Sequence, residues 1–373
     1  MTKNSMYSIC IITNIGTHYR FPIFSELHKI FKADFYLGDK LKFPIKTFNY
    51  KDLEGYKGTV HNRFFGKFYW QEDTVNLVNK PYDYYILDGE PYCLSTWAIL
   101  IYAKLKGKRT VSWTHGWYGR EGLAKRLIKE VFYSLFSYLM IYSEYAIKLM
   151  EKEGFKRQNM FCIANSLDTD HEKIIRNHLK PSGIYKDHFG NNNPTIIYCG
   201  RIQKIKKLPL ILDSIQILKN KGIHVNVVFV GKDIDDVDLP ALARQKGILD
   251  QLWMYGPCYD DEKLAELFYN AAVCVSPGNI GLTAIHTLSF GCPAITHNNF
   301  ANQMPEFEAI IPGVTGDFFK ENDPKDLAEK IVPWLTLNAD QRESTRQAAY
   351  AEIDRKWNIH HQIDVIKQVL NAN

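Results

Sequence analysis

Short apolar strands and amphipathic helices alternate along this chain, and they do so in two separate blocks. In the first block residues 7–13, 33–37, 82–87, 109–114, 140–142 and 160–163 read as strands, with helical stretches at 22–31, 95–106, 122–137 and 144–153 between them. The second block repeats the pattern, with strands at 195–199, 225–230, 252–255 and 272–275 and helices at 208–220, 239–246 and 261–270. Strands separated by helices cannot form hairpins and have to pair in parallel, which leaves helices to cover both faces of each sheet. The expected fold class is therefore α/β, with two Rossmann-like, doubly wound domains that face each other across a cleft. The expected division is 1–168 for the first domain, 169–193 for a polar linker, 194–347 for the second domain and 348–373 for a terminal helical region. Residues 40–80, rich in Lys, Phe, Tyr and Gly, give no clear element.

Composition narrows the function classes. The chain has 373 residues, 46% hydrophobic and 23% charged, which suits a globular protein with a sizeable core. Residues 131–142 are the longest apolar stretch and fall well short of the ~20 needed to cross a bilayer. The apolar run at 7–13 is too short for a secretory signal. Seven dispersed cysteines without a CxxC pair point to reduced thiols in the cytoplasm, and no metal site is expected. A net charge of +5 does not argue for nucleic acid. Its distribution is uneven: Lys104, Lys106, Lys108, Arg109, Arg120, Lys125, Arg126 and Lys129 crowd beside Trp113, Trp117, Tyr118, Phe132, Tyr133, Phe136 and Tyr138. Two readings follow, a segment lying peripherally on the anionic inner face of a membrane, or a solvated helix face whose aromatics enter the core.

In open parallel sheets ligands sit at the carboxyl ends of the strands, and the polar residues collect there. The stretch Ser276 to His297 supplies a buried strand, a turn at Pro277-Gly278-Asn279, and a helix opened by Gly281. Such a strand–turn–helix aims free amides and the positive helix end at one point, which suits a phosphate. Arg201, just past another strand, and Lys206 five residues later would hold a diphosphate and stabilise its growing charge as it leaves. GxGxxG and GxxxxGK[ST] motifs are both absent, which disfavours dinucleotide oxidoreductases and P-loop NTPases. Asp233-Ile234-Asp235-Asp236 and Asp168-Thr169-Asp170 contain a DxD spacing, common by chance in acidic loops.

In order and spacing, Gly200-Arg201 with Lys206, Val230-Gly231, Tyr255-Gly256, Ser276-Pro277, Gly281-Leu282, Gly291-Cys292-Pro293, Pro305-Glu306 and residues 313–316 form a set. This set resembles the GT-B glycosyltransferases, specifically the retaining group with bacterial polysaccharide and lipopolysaccharide enzymes (glycosyltransferase family 4). Thr114-His115-Gly116 and Asn165-Ser166-Leu167-Asp168 extend the resemblance more loosely into the first block. The resemblance implies sugar transfer from a nucleotide-diphosphate sugar to a saccharide or lipid-linked saccharide, with retention, without a further cofactor and without a required metal. It assigns Arg201 and Lys206 to the diphosphate and the backbone of Gly281, Leu282 and Thr283 to its cap. His115 is assigned to the transferred sugar, and Gly16 and Gly200 to the surroundings of the donor. Residues 348–373 are implied to return to the first domain. One departure stands out: the group's two glutamates, eight positions apart, are replaced here by Gly278 and His286. Asn279 and His286 are the expected substitutes, near the sugar and the ribose. Glu306 either contacts donor or caps a helix, and Glu90 and Tyr118 are expected on the acceptor side, with Glu90 as a base. A nucleotide-sugar epimerase and a catalytically degenerate nucleotide-sugar-binding scaffold are the alternatives.

Overall fold

The computed structural model describes residues 7–372, which fall into two compact units. The first comprises the chain up to Leu167 together with Ile359 onward, and the second runs from Asp168 to Asn358. In the first unit the strands are β1 (Ile9–Thr13), β2 (Asp34–Gly38), β3 (Tyr56–Val60), β4 (Asn62–Phe65), β5 (Phe68–Gln71), β6 (Tyr84–Asp88), β7 (Arg109–Thr114), β8 (Tyr138–Ile141) and β9 (Met160–Cys162). Its helices are α1 (Phe21–Phe31), α2 (Leu94–Leu105), α3 (Leu123–Ser134), α4 (Glu144–Lys152) and the last helix of the chain, α13 (Ile359–Asn371). Seven strands pair in the order β3-β2-β1-β6-β7-β8-β9, every pair parallel.

Alternate residues of these strands feed opposite cores. Ile9 and Ile11 join Phe24 and Leu27 of α1 and Ile363, Ile366 and Val369 of α13, whereas Cys10 and Ile12 join Ile99 and Leu100 of α2, Phe132 of α3 and Ile147 of α4. Each such fully buried aliphatic side chain contributes about 1.5–3 kcal/mol. The terminal helix is held by more than apolar contact. Tyr84 and Tyr138 donate their hydroxyls to the carbonyls of Leu370 and Ala372 at 2.8 and 2.7 Å.

The second unit holds α5 (Thr169–Arg176), α6 (Ile184–Phe189), β10 (Thr195–Cys199), α7 (Pro209–Asn220), β11 (Asn226–Val230), α8 (Leu239–Gln245), β12 (Leu252–Gly256), α9 (Asp261–Asn270), β13 (Val273–Ser276), α10 (Thr283–Ser289), β14 (Ala294–His297), β15 (Gly316–Phe319), α11 (Pro324–Leu335) and α12 (Ala339–Lys356). Its six strands run parallel in the order β12-β11-β10-β13-β14-β15. Helix starts follow local chemistry: Asp260 accepts from the Lys263 amide ahead of α9, and Asn338 with Gln341 closes a capping box ahead of α12. The α/β class and two doubly wound sheets expected from the sequence are what the chain adopts.

Several local expectations differ from the structure. Residues 169–193 are not an open connector but contain α5 and α6, and Tyr185 of α6 is buried against Leu267 and Phe268. Residues 40–80 contain β3 and the antiparallel β4–β5 hairpin. The helical region after 347 is two helices, broken at Trp357-Asn358. The aromatics among the basic residues 104–138 mostly face inward: Trp113, Trp117, Phe132, Tyr133, Phe136 and Tyr138 are all buried.

Candidate functional site

In the second unit the strand order reverses between β10 and β13, which are neighbours. The loops leaving their carboxyl ends therefore run side by side. They touch closely at Gly278, whose amide donates to the Lys206 carbonyl at 3.0 Å. A Cβ there would stand 2.6 Å from the Ile205 carbonyl oxygen and 2.8 Å from Lys206 Cα, so no side chain fits. The position where the resemblance leads one to look for a glutamate is filled by neighbouring backbone. A second close approach fixes the start of the other loop. A Cβ on Gly231 would lie 1.8 Å from the Gly200 carbonyl oxygen, so the turns after β10 and β11 are in contact where Arg201 emerges.

Lys206 ends a short helical turn and donates from Nζ to the Asn279 carbonyl at 2.6 Å and to Asn279 Oδ1 at 2.7 Å. Burial first, and then the charge of Arg201, push its pKa down to about 8, against an opposing pull from Glu306. Arg201 is exposed, and among the described residues no carboxylate reaches ion-pair distance of either cation. Glu306 lies in the buried turn Pro305–Ala309. Gly281, at φ +58°, leads into α10, and among the described residues the amides of Gly281, Leu282 and Thr283 have no hydrogen-bond partner. The Thr283 hydroxyl instead donates to the Cys199 carbonyl at 3.3 Å, tying α10 to the end of β10.

This loop rests on a buried scaffold that sequence reasoning missed. Gln303 Oε1 accepts from the Ile280 amide, and its Nε2 donates to Thr296 Oγ1 and the His297 carbonyl. Thr296 Oγ1 in turn bonds the carbonyls of Ser276 and Gly278. His286, on α10, lies edge-on to Phe268 and Phe290, and its Nδ1 is 2.5 Å from Glu172 Oε1 of α5. Glu172 is buried and its Oε2 has no partner among the described residues. Three carboxylates of the DxD runs hold turns: Asp168 caps α5, Asp233 accepts from the Asp235 and Val237 amides, and Asp235 accepts from the Lys204 amide. Among the described residues no group of three His, Cys, Asp or Glu side chains is arranged to hold a metal.

In the first unit the order reverses between β1 and β6. Beyond their carboxyl ends lies a pocket of about 280 Å³ whose lining includes Arg20, Asp88, Glu90, His115 and Tyr142. Arg20 donates to the Tyr142 hydroxyl and lies 3.7 Å from Asp88, whose other oxygen accepts from the Asn14 amide at 2.6 Å. Burial opposes the Arg20 charge, but Tyr142, Tyr19 and Asp88 together raise its pKa, and it stays charged. Burial raises both Asp88 and Glu90, Arg20 opposing it at Asp88 and the Tyr92 amide opposing it at Glu90. His115 is driven down to about 4 by burial, then by Arg20 and Lys129, so it is neutral at pH 7. Its Nδ1 is buried with no partner among the described residues. Tyr118 stacks near His115 at 6.1 Å, in a loop pinned by a buried Lys129–Glu121 pair at 2.7 Å. The Gly16 amide is committed to the Tyr50 hydroxyl at 3.0 Å. The structure thus gathers Glu90 and His115 in one pocket and Arg201, Lys206, Asn279, Gly281 and Glu306 around one loop pair. Arg20, Asp88 and Glu172 join them without a sequence signal beyond their place at strand ends or in the supposed linker.

Two kinds of likeness bear on this geometry. Residues 185–352 match the family described as glycosyl transferases group 1. Among solved structures, Anabaena Alr3699/HepE in complex with UDP superposes with a TM-score of 0.74 at 14% identity, covering 98% of this chain and 100% of that one. The fold is GT-B. The apo lipopolysaccharide outer core galactosyltransferase WaaB gives 0.71 at 13% identity over 97% and 99% of the two chains. A glycosyltransferase from Rickettsia africae gives 0.72 at 13% over 98% and 100%. No curated protein sequence matches the chain. The stretch of this GT-B chain that matches the group 1 family lies within the second unit and spans most of it. Among the described residues no helix is long and apolar enough to cross a membrane.

Proposed function

We propose that this chain transfers a sugar from a nucleoside-diphosphate sugar to a saccharide or lipid-linked saccharide, with retention of configuration, as part of bacterial surface polysaccharide synthesis in the cytoplasm. The observation that carries the donor assignment is the pair Arg201 and Lys206, two cations without a carboxylate counterion at ion-pair distance, beside the open amides of Gly281, Leu282 and Thr283. A lysine whose charge is disfavoured by burial and by a neighbouring guanidinium gains most from an arriving dianion. The same three elements would stabilise the diphosphate as it leaves, so the mechanism assigns this charge to protein groups without a metal. The Anabaena protein has been crystallised with UDP, with UDP and glucose, and with UDP-glucose, which supports a uridine nucleotide as the first donor to try.

Around that anchor, Gly200 and Glu306 adjoin the donor, and the Asn279 amide group faces the sugar while its oxygens hold Lys206. His286, with Nδ1 engaged by Glu172, offers Nε2 to a ribose hydroxyl. In the first unit His115 is uncharged and makes a neutral hydrogen bond to a sugar hydroxyl, and Gly16 frames the same strand end. Glu90, with its pKa raised by burial, and Tyr118 serve the acceptor. The test is nucleotide release across a panel of nucleotide-sugars, with and without free and lipid-linked saccharide acceptors, in EDTA, followed by NMR of the product anomer. Acceptor-dependent release that Arg201→Ala or Lys206→Ala abolishes is expected. Donor conversion without any acceptor would instead favour an epimerase, and tight binding with no turnover a scaffold.

A further inference from the structure

The β4–β5 hairpin is built inside out. Strand alternation sends Asn62, Tyr69 and Gln71 inward, where they are buried. The opposite, solvent face carries the cross-strand pairs Arg63 with Trp70 and Phe65 with Phe68. A solvated hairpin face is ordinarily polar. Here Phe65 is 59% exposed, Phe68 37% and Trp70 36%. The neighbouring loop adds Phe43 at 60% and Ile45 at 41%, and it is fastened to the hairpin turn by Lys42, which donates to the Gly66 carbonyl and lies over Phe64. Cations stand among these rings: Lys40, Lys42 and Lys67 are exposed, Lys67 lying over Phe68. The nearby acids are already engaged, Asp39 by the Asn62 amide and His61, and Glu72 by Arg63. Phe43 and Ile45 also line the pocket that holds Glu90 and His115, so the aromatic lip is continuous with the pocket mouth.

We propose that this lip seats in the interface of an anionic lipid bilayer. Phe and Trp side chains favour the headgroup boundary, and interleaved lysines are attracted to anionic lipid. The charge pattern selects that occupant over a second copy of the chain, since a twofold contact would place Lys40, Lys42 and Lys67 against like charges. It follows, on the glycosyl-transfer reading of the pocket, that the acceptor is carried by a lipid, its hydrocarbon lying along the lip while its saccharide enters beside Glu90 and His115.

The test is sedimentation of the full chain with vesicles of phosphatidylcholine alone or with phosphatidylglycerol, needing neither donor nor acceptor. Salt-sensitive binding to the anionic vesicles only is expected. Phe65→Ser/Trp70→Ser, which leaves the pocket lining intact, should weaken it roughly tenfold or more, and Lys40→Glu/Lys67→Glu should abolish its dependence on anionic lipid. UDP binding, measured on the same preparations, stays unchanged and reports on the fold and on the donor site independently. Wild-type protein remaining in the supernatant, or a lip variant that binds as well as wild type, would overturn the proposal. So would loss of binding only in Leu127→Ser/Ile128→Ser, which alters the exposed stripe of α3, or a dimer in light scattering that the lip variant dissolves.

Discussion

The depressed pKa of Lys206 makes nucleotide affinity fall with pH in a calculable way. In the ligand-free chain its pKa is about 8. Binding a diphosphate requires the ammonium form and restores the pKa towards the ordinary lysine range of about 10.4. Below pH 7 the ammonium is present and affinity is flat. The competent form falls from about nine-tenths of the protein at pH 7 to about one-tenth at pH 9, so the dissociation constant rises about tenfold over that range, or ~1.4 kcal/mol. Near pH 8 half of the free protein has lost this proton, so binding takes up about half a proton. Calorimetry of UDP binding in two buffers of different ionisation enthalpy reads that uptake directly. Lys206→Arg keeps its charge throughout and flattens the profile, and the difference between the two proteins cancels the titration of the nucleotide itself. The folding stability of the free chain has the opposite sign: the unfolded state holds the proton more tightly, so stability rises with pH between about 8 and 10.4. Equal slopes in wild type and Lys206→Arg, or no proton uptake near pH 8, would refute the placement of the diphosphate against this side chain.

Other outcomes follow from the same geometry. Gly278→Glu does not restore a sugar-binding carboxylate but forces the Ile205–Lys206 backbone away; a loss of about 1–3 kcal/mol in stability is expected by denaturant titration, with weaker UDP binding. His115, neutral down to about pH 4, makes the folded state reject a proton that the unfolded chain accepts near 6.5. Its contribution, about 3 kcal/mol from the shift of two to three units, is full above pH 6.5 and is lost as pH falls towards 4, a slope that His115→Asn removes from urea titrations. Glu172→Ala frees the His286 ring and weakens UDP binding severalfold, with a smaller change for the 2′-deoxy nucleotide if the ring reads the ribose. Arg201→Ala, at an exposed position, leaves the thermal midpoint within a degree or two while lowering turnover by at least about a hundredfold.

The architecture was legible because parallel strands buried on both faces read as continuous runs of β-branched and aromatic residues, as at Ile9–Thr13 and Asn226–Val230. The hairpin at Asn62–Gln71 was not, because its outward face carries the aromatics and its inward face Asn62 and Gln71, the reverse of the usual signal. Arg201, Lys206 and Gly281 could be singled out because each lies just past a strand. What holds them could not: Asn279 is 73 residues from the lysine it grips, and Gln303 reaches the Ile280 amide from a separate turn. Glu172 was hidden in a segment whose polar sequence reads as a connector, although α5 carries buried Ile175 and Arg176. The basic and aromatic stretch at 104–138 misleads for a related reason. A list of residue types does not reveal that most of the rings point into the core while the cations, Lys129 apart, lie at the surface.

The last helix has a consequence for how the protein is made. The buried residues of α13, Ile363, Ile366, Val369 and Leu370 among them, complete a core whose remaining buried members lie before residue 168. During synthesis the amino-terminal half leaves the ribosome with one face of its sheet covered by α1 alone, and it has to wait for nearly two hundred further residues before the missing helix arrives. The later half contains all of its own core and can close first. The unit translated earliest is therefore the one finished last.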